Sequence, residues 1–184
     1  MIGNDNLEEK EWRKVGTAIF PKMLSNTHLG RFPPLAITAL EMNEFGKDYA
    51  RQTVRNSKAF AGYLDRIGFD VLCSPLYTDS HQVVVNVREF GGGETVADKL
   101  EQYNIICNKM ALPQDSPDDA TNNPSGIRLG TQELTRFGMK ENEMKAIADF
   151  YEKILIDNAE VEGTKKEIID FRKDFQEITY CFKA

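Results

Sequence analysis

The sequence predicts a two-layer fold in which helices cover a small sheet, in the α/β or α+β class. Three observations lead there. Helical periodicity fills a long stretch over residues 35–67, short β-branched runs such as Val83-Val84-Val85 lie between helices, and amphipathic stripes recur toward the C-terminus. With 184 residues and 41% hydrophobic composition, the chain can bury a core of one large or one and a half small domains.

Residues 7–13 are charged and read as a helical or extended lead-in. Pro33-Pro34 punctuates the chain, and Ala50, Val54, Ala61 and Leu64 then recur at helical spacing up to a natural stop at Gly68. Residues 69–72 and 81–87 read as strands. Gly91-Gly92-Gly93 is a turn without phosphate-loop spacing, and Thr95 to Asp98 resembles a capped start for a helix carrying Val96, Leu100 and Tyr103 on one face. Short strands are expected at residues 105–107 and 127–129, separated by a polar, mobile loop over 114–123. Met144, Ile147, Ala148, Tyr151 and Leu155 form a helical stripe. Thr164 with Glu167 suggests a capping box before Ile168, Phe171 and Phe175, and Tyr180-Cys181-Phe182 a short strand or tail.

Composition excludes several functions. A net charge of −6 with pI near 5.1, and basic residues mixed among acidic ones, argues against nucleic acid or an anionic membrane as partner. No apolar run is long enough to span a bilayer, and the first residues do not resemble a signal peptide. Three widely spaced cysteines, Cys73, Cys107 and Cys181, read as reduced cytosolic thiols, hence a cytoplasmic protein. With His28 and His81 as the only histidines, no Cys/His metal cluster can be written.

The most informative stretch runs from Pro124 to Met139. A short apolar strand carries Arg128 in its middle and opens through Gly130 into a polar turn. An arginine held there presents a planar fork that suits bidentate grip of a carboxylate, although a structural ion pair at a sheet edge is the plainer alternative. His81 at a strand start reads as a satisfied structural group.

The run Ser125-Gly126-Ile127-Arg128-Leu129-Gly130-Thr131 resembles the carboxylate-binding segment of serine hydroxymethyltransferases, fold-type-I enzymes that use pyridoxal phosphate (PLP). Further matches follow in order: Phe20-Pro21, Ser25-Asn26-Thr27-His28-Leu29, Ala39-Leu40-Glu41-Met42, Val54-Arg55-Asn56-Ser57-Lys58-Ala59, Asp79-Ser80-His81, and Asn104-Ile105-Ile106 with Asn108-Lys109. The likeness is to the archaeal-type branch and runs from about residue 10 to the C-terminus. It implies the C-terminal portion of such an enzyme: residues 1–34 ending the large cofactor domain, 35–68 an interdomain helical region, and 69–184 the small α/β domain.

The resemblance also implies roles. Arg128 would bind the α-carboxylate of serine or glycine, with Ser125 and Thr131 as backbone-capping neighbours. Ser25, Asn26 and His28 would belong to a loop that reaches the cofactor phosphate of the partner in a homodimer, with Thr27 and Lys22 departing from the family pattern. Asn108 and Met110 would lie in the pocket for a tetrahydropterin carrier. Met110 replaces an asparagine there, and a thioether cannot replace an amide's donor and acceptor. Phe137 replaces the second residue of a frequent Arg-Arg pair that begins with Arg136. The family's Schiff-base lysine stands in a Lys-Thr segment before a Gly-Pro-Arg-Gly-Gly turn, and Gly3-Asn4-Asp5 resembles the sequence that follows that turn. No lysine of this chain has that context. The chain alone is therefore expected to bind no PLP and to be inactive without an N-terminal PLP domain. The competing readings are a related PLP-dependent aldolase for β-hydroxy amino acids, and a non-catalytic dimerisation or regulatory domain.

Overall fold

The computed structural model describes residues 8–24, 26 and 28–183, which fall into two compact units, Met1–Met42 and Asn43–Ala184. In the first, helix α1 (Glu9–Thr17) begins with a capping box in which the Glu8 amide donates to Glu11 Oε2 at 3.0 Å. An irregular helical turn follows at Ala18–Met23, broken at Phe20 (φ −133°, ψ 129°), and then a 3-10 turn at Leu29–Arg31. Helix α2 (Phe32–Arg66) begins here and runs into the second unit. It takes Pro33 and Pro34 into its first turn and does not wait for them to pass. Proline costs nothing there, because its missing N–H is one the helix leaves unbonded anyway.

Gly68 stops α2 as expected, through a full Schellman motif: its amide donates to Asp65 O (3.1 Å) and that of Phe69 to Leu64 O (3.0 Å). Gly68 sits at φ +99°, where only glycine is unstrained. Leu64 and Phe69, the residues bracketing the motif, are both buried, so the turn aims the chain directly into the sheet.

That sheet has four strands, β1 (Asp70–Val71), β2 (Gln82–Asn86), β3 (Asn108–Met110) and β4 (Gly126–Gly130), in the order β1-β2-β4-β3 with every neighbour antiparallel. Helices α3 (Gly93–Gln102), α4 (Pro117–Asn122), α5 (Gln132–Arg136), α6 (Glu141–Leu155) and α7 (Val161–Lys173) complete the unit. The class is thus the α+β form of the expected two-layer fold. One contiguous core joins Val71, Val83, Val85, Ile127 and Leu129 of the sheet to Phe60, Ala61 and Leu64 of α2, Val96 and Leu100 of α3, and Met144, Ala148, Tyr151 and Ile154 of α6. Each fully buried aliphatic side chain of this set contributes about 1.5–3 kcal/mol.

Several elements differ from the sequence expectation, each for a local reason. Helix α3 starts at Gly93, two residues before Thr95, because its cap comes from a distant loop: the Gly93 amide donates to Pro124 O (2.6 Å) and that of Glu94 to Asn123 Oδ1 (3.0 Å). Residues 105–107 form no strand. The Ile105 amide closes the C-terminus of α3 on Leu100 O, with Asn104 left-handed at φ +64°, so pairing begins only at Asn108. The expected loop over 114–123 contains α4, started by Ser116, whose hydroxyl accepts from the Asp119 amide at 3.1 Å, with Pro117 in first position. Helix α7 starts at Val161, where the Glu160 carboxylate accepts from the Gly163 amide (2.6 Å). Thr164 is therefore inside the helix and buried, and Glu167 pairs with Lys153 of α6 at 2.6 Å. Of the strand or tail expected at residues 180–182, the structure has the tail. The segment is held by Thr179, which donates to Arg136 O (2.7 Å), and by Tyr180 and Phe182, whose rings meet Tyr49 and Phe45.

The three cysteines are free thiols. Burial pushes Cys107 up to about 11, whereas Cys73 is exposed. Burial keeps the Cys107 thiol protonated and shielded, so a thiol reagent at neutral pH should label the exposed Cys73 well before Cys107. Mass spectrometry of partly labelled protein showing equal rates would contradict the burial of Cys107.

Candidate functional site

Strand β4 sorts its side chains to two faces. Ile127 and Leu129 enter the core, so Arg128 between them must project from the other face. The pairing register says what surrounds it. Arg128 lies opposite Val84 of β2 and Asn108 of β3, while Met110 lies one row away, opposite Gly126. Residues directly paired across antiparallel strands share a face with their Cβ atoms ~4.5–5.5 Å apart. Arg128, Asn108 and Met110 therefore form one group on the open face, together with Gln82, Val84 and Asn86. Lys109 belongs to the opposite row and pairs with Glu94 of α3.

Arg128 is exposed and makes no hydrogen bond or ion pair among the described residues. A guanidinium on the middle of a well-paired strand, with fixed neighbours and an unused fork, is prepared for a planar anion. The strand positions of this face carry no lysine or histidine, so the face can grip a carboxylate but presents no amine to a carbonyl.

The frame around β4 is fixed by buried polar groups. The Thr131 amide donates to His81 O at 3.0 Å, and its hydroxyl to Thr53 O at 3.1 Å, tying the end of β4 to α2. His81 thus serves the frame through its backbone, and it lines a cavity of about 330 Å³ with Tyr49, Thr53, Ser80 and Gln132. At the other end of β4, Ser125 meets Asp115, a cluster that sequence reading missed because Asp115 lay in the presumed loop. The one local signal was the Ser116-Pro117 helix start beside it. The Ser125 hydroxyl and the amides of Leu112 and Ser125 hold the Asp115 carboxyl well below the usual carboxylate range, so it stays ionised at neutral pH.

Of the phosphate-loop candidates, Ser25 lies outside the described residues. Asn26 and His28 are both exposed and line a cavity of about 380 Å³ in the first unit, with Ile19, Phe20, Leu24 and Phe32. Arg136 donates to Tyr180 O at 2.7 Å, and Phe137 is the platform for Arg172 of α7, whose guanidinium carbon stands 4.2 Å from the ring centre. Arg172 Nη1 is buried without a hydrogen-bond partner, so the aromatic face is what offsets its desolvation.

The helix-backed antiparallel sheet, with an arginine on its open face that is unpaired among the described residues, is an α+β domain of the kind found in fold-type-I PLP enzymes. The chain belongs to the serine hydroxymethyltransferase family, whose model matches residues 2–151. A serine hydroxymethyltransferase from Saccharolobus islandicus is 51% identical over 172 residues, covering 93% of this chain and 40% of that protein. One from Methanocella arvoryzae is 49% identical over 176 residues, covering 95% and 41%. Among solved structures, the L-threonine transaldolase of Pseudomonas fluorescens superposes with a TM-score of 0.83 at 28% identity, over 98% of this chain and 40% of that one. The chain thus spans about two fifths of the length of the relatives it matches. Among the described residues no helix is long and apolar enough to cross a membrane.

Proposed function

We propose that this chain is the C-terminal portion of a PLP-dependent, cytoplasmic serine/glycine hydroxymethyltransferase-like enzyme, moving a one-carbon unit from serine to a tetrahydropterin carrier. The observation that carries this reading is Arg128, between Val84 and Asn108 on the open face of the sheet and unpaired among the described residues. Its two parallel N–H groups would bind the α-carboxylate and so fix which bond at Cα faces the chemistry. PLP, when bound, supplies the electron sink for breaking that bond. Asn26 and His28, with Ser25, are the residues of this chain that would reach a cofactor phosphate, across a homodimer. Residues 1–34 would end the cofactor domain, 35–68 link it, and 69–184 form the small domain.

The lysine that carries PLP is not expected among the residues of this chain. Several of its lysines are held by surface carboxylates, as Lys58 is by Asp79 (2.7 Å) and Lys145 by Asp149 (2.7 Å). Borohydride treatment of the chain with PLP should therefore give only scattered surface labelling. One lysine trapped at full stoichiometry would overturn this part of the proposal.

A second reading is favoured by Met110. It is 36% exposed beside Arg128, at the position where the resemblance implies an asparagine that contacts the carrier, and it offers no amide donor. An aldolase or transaldolase acting on β-hydroxy amino acids needs no such donor, and the similarity to an L-threonine transaldolase agrees with it. The complete enzyme separates the two. Serine turnover that depends saturably on a tetrahydropterin supports the first, and carrier-independent cleavage of threonine or its analogues supports the second. Neither activity, with a stable dimer, would leave the dimerisation or regulatory reading.

A further inference from the structure

The β3–β4 connection, residues 111–125, carries both rows of the open face at its ends, and a single carboxylate closes its mouth. The Asp115 side chain is fully buried. It accepts from the Leu112 amide at 2.9 Å, just past β3, and from the Ser125 amide at 2.8 Å, just before β4. It also accepts from the Ser125 hydroxyl. Arg88, in the turn after β2, donates to Ser125 Oγ at 3.0 Å and faces Asp115 and Asp119, each at 3.6 Å. The Ser125 carbonyl in turn accepts from the Val87 amide at 2.8 Å. Three segments of chain are thus joined at one carboxylate.

The clasp connects directly to the substrate face. Leu112, fixed by its amide, is buried against Gly126 so closely that a Cβ there would meet Leu112 Cδ2 at 2.7 Å and Met110 O at 2.9 Å. Gly126 is the register partner of Met110 and lies two residues before Arg128. We propose that Asp115 is a positioning residue for the Arg128 site, holding β3 at its register so that Asn108 and Met110 stay beside the guanidinium. This rests on the reading of Arg128 as the carboxylate grip. A loop of this length could close without any buried charge, since loop-closure entropy grows only slowly with length. The carboxylate secures the lateral placement of β3, an edge strand of three residues paired on one side only.

The test uses the complete, PLP-loaded enzyme with two readouts, steady-state kinetics and amide hydrogen exchange. Asp115→Asn should raise KM for the amino acid about ten- to a hundredfold, the scale of a small misplacement of a binding group, with kcat little changed. Tm should also fall, because the neutral amide replaces an ionised acceptor at a buried site. Exchange should speed up at Asn108 and Met110, the β3 residues whose amides face β4, but not in α6. Ser125→Ala should move both readouts in the same direction by less, and it decides the matter if Asp115→Asn fails to fold. Faster exchange with an unchanged KM would make Asp115 a loop clasp only and overturn the proposal. Arg128→Lys serves as the control. If it raises KM while Asp115→Asn does not, the positioning role alone fails; if it leaves KM unchanged, the carboxylate reading fails and takes the positioning role with it.

Discussion

Arg128→Lys in the complete enzyme is expected to lower kcat/KM roughly ten- to over a hundredfold while leaving the melting temperature almost unchanged. Lysine keeps the charge and loses the fork, and a charge-assisted pair contributes ~1.5–3 kcal/mol, at ~1.4 kcal/mol per decade of rate. Stability should hold because Arg128 makes no contact that folding depends on. It is exposed and unpaired among the described residues, and the residues flanking it on β4 are the ones that enter the core. Kinetics with serine and a thermal melt on the same preparation decide it. Retained activity with a collapsed melt would make Arg128 a structural residue after all.

Asn56→Ala should do the reverse, costing stability with little direct effect on substrate affinity. Asn56 is wholly buried on α2, and all its polar capacity is placed. Its amide donates to Thr135 Oγ1 (2.8 Å) and Met139 O (2.9 Å), and its carbonyl accepts from Gln52, which also reaches Glu141 at 2.9 Å. Truncation strands the Met139 carbonyl and empties an amide's volume at the joint between α2, α5 and α6. Each orphaned buried group costs about 1–3 kcal/mol, so a total of about 2–4 kcal/mol is expected. For a domain of this size that is a fall of roughly 5–15 °C in Tm. A melt within about 2 °C of the parent would show that water or a local shift replaces the network.

The features legible in the sequence were those that one element determines by itself. The stripe from Met144 to Leu155 gave α6, the β-branched Val83-Val84-Val85 gave β2, and Gly68 gave the end of α2, because periodicity and left-handed glycine are local properties. What escaped was determined from a distance. The start of α3 is capped by Asn123 and Pro124, the strand expected at 105–107 is spent on closing a helix, and Glu167 answers Lys153 and not its own helix start. The site divides the same way. Arg128 stood out through its strand context, whereas the only local mark near Asp115 was the helix start at Ser116-Pro117, since its buried contacts to Leu112, Ser125 and Arg88 exist only once β3 and β4 are paired. Phe137 shows a third case. It reads as a lost arginine in a pocket, but the residue that explains it, Arg172, is supplied by α7.

The alternation along β4 sets what length changes this region can tolerate. Inserting or deleting one residue inside Gly126–Gly130 would rotate the strand's sequence by half a period, sending Arg128 toward Val83 and Val85 and turning Ile127 or Leu129 out to water. Core and function would fail in the same step, so selection for a folded domain also guards the arginine's orientation. Between Pro117 and Asn122, by contrast, the chain lies outside both strands, and residues could be gained or lost without shifting either strand's phase. Natural length variation in this family should therefore gather in that short exposed stretch and stop abruptly at Pro124.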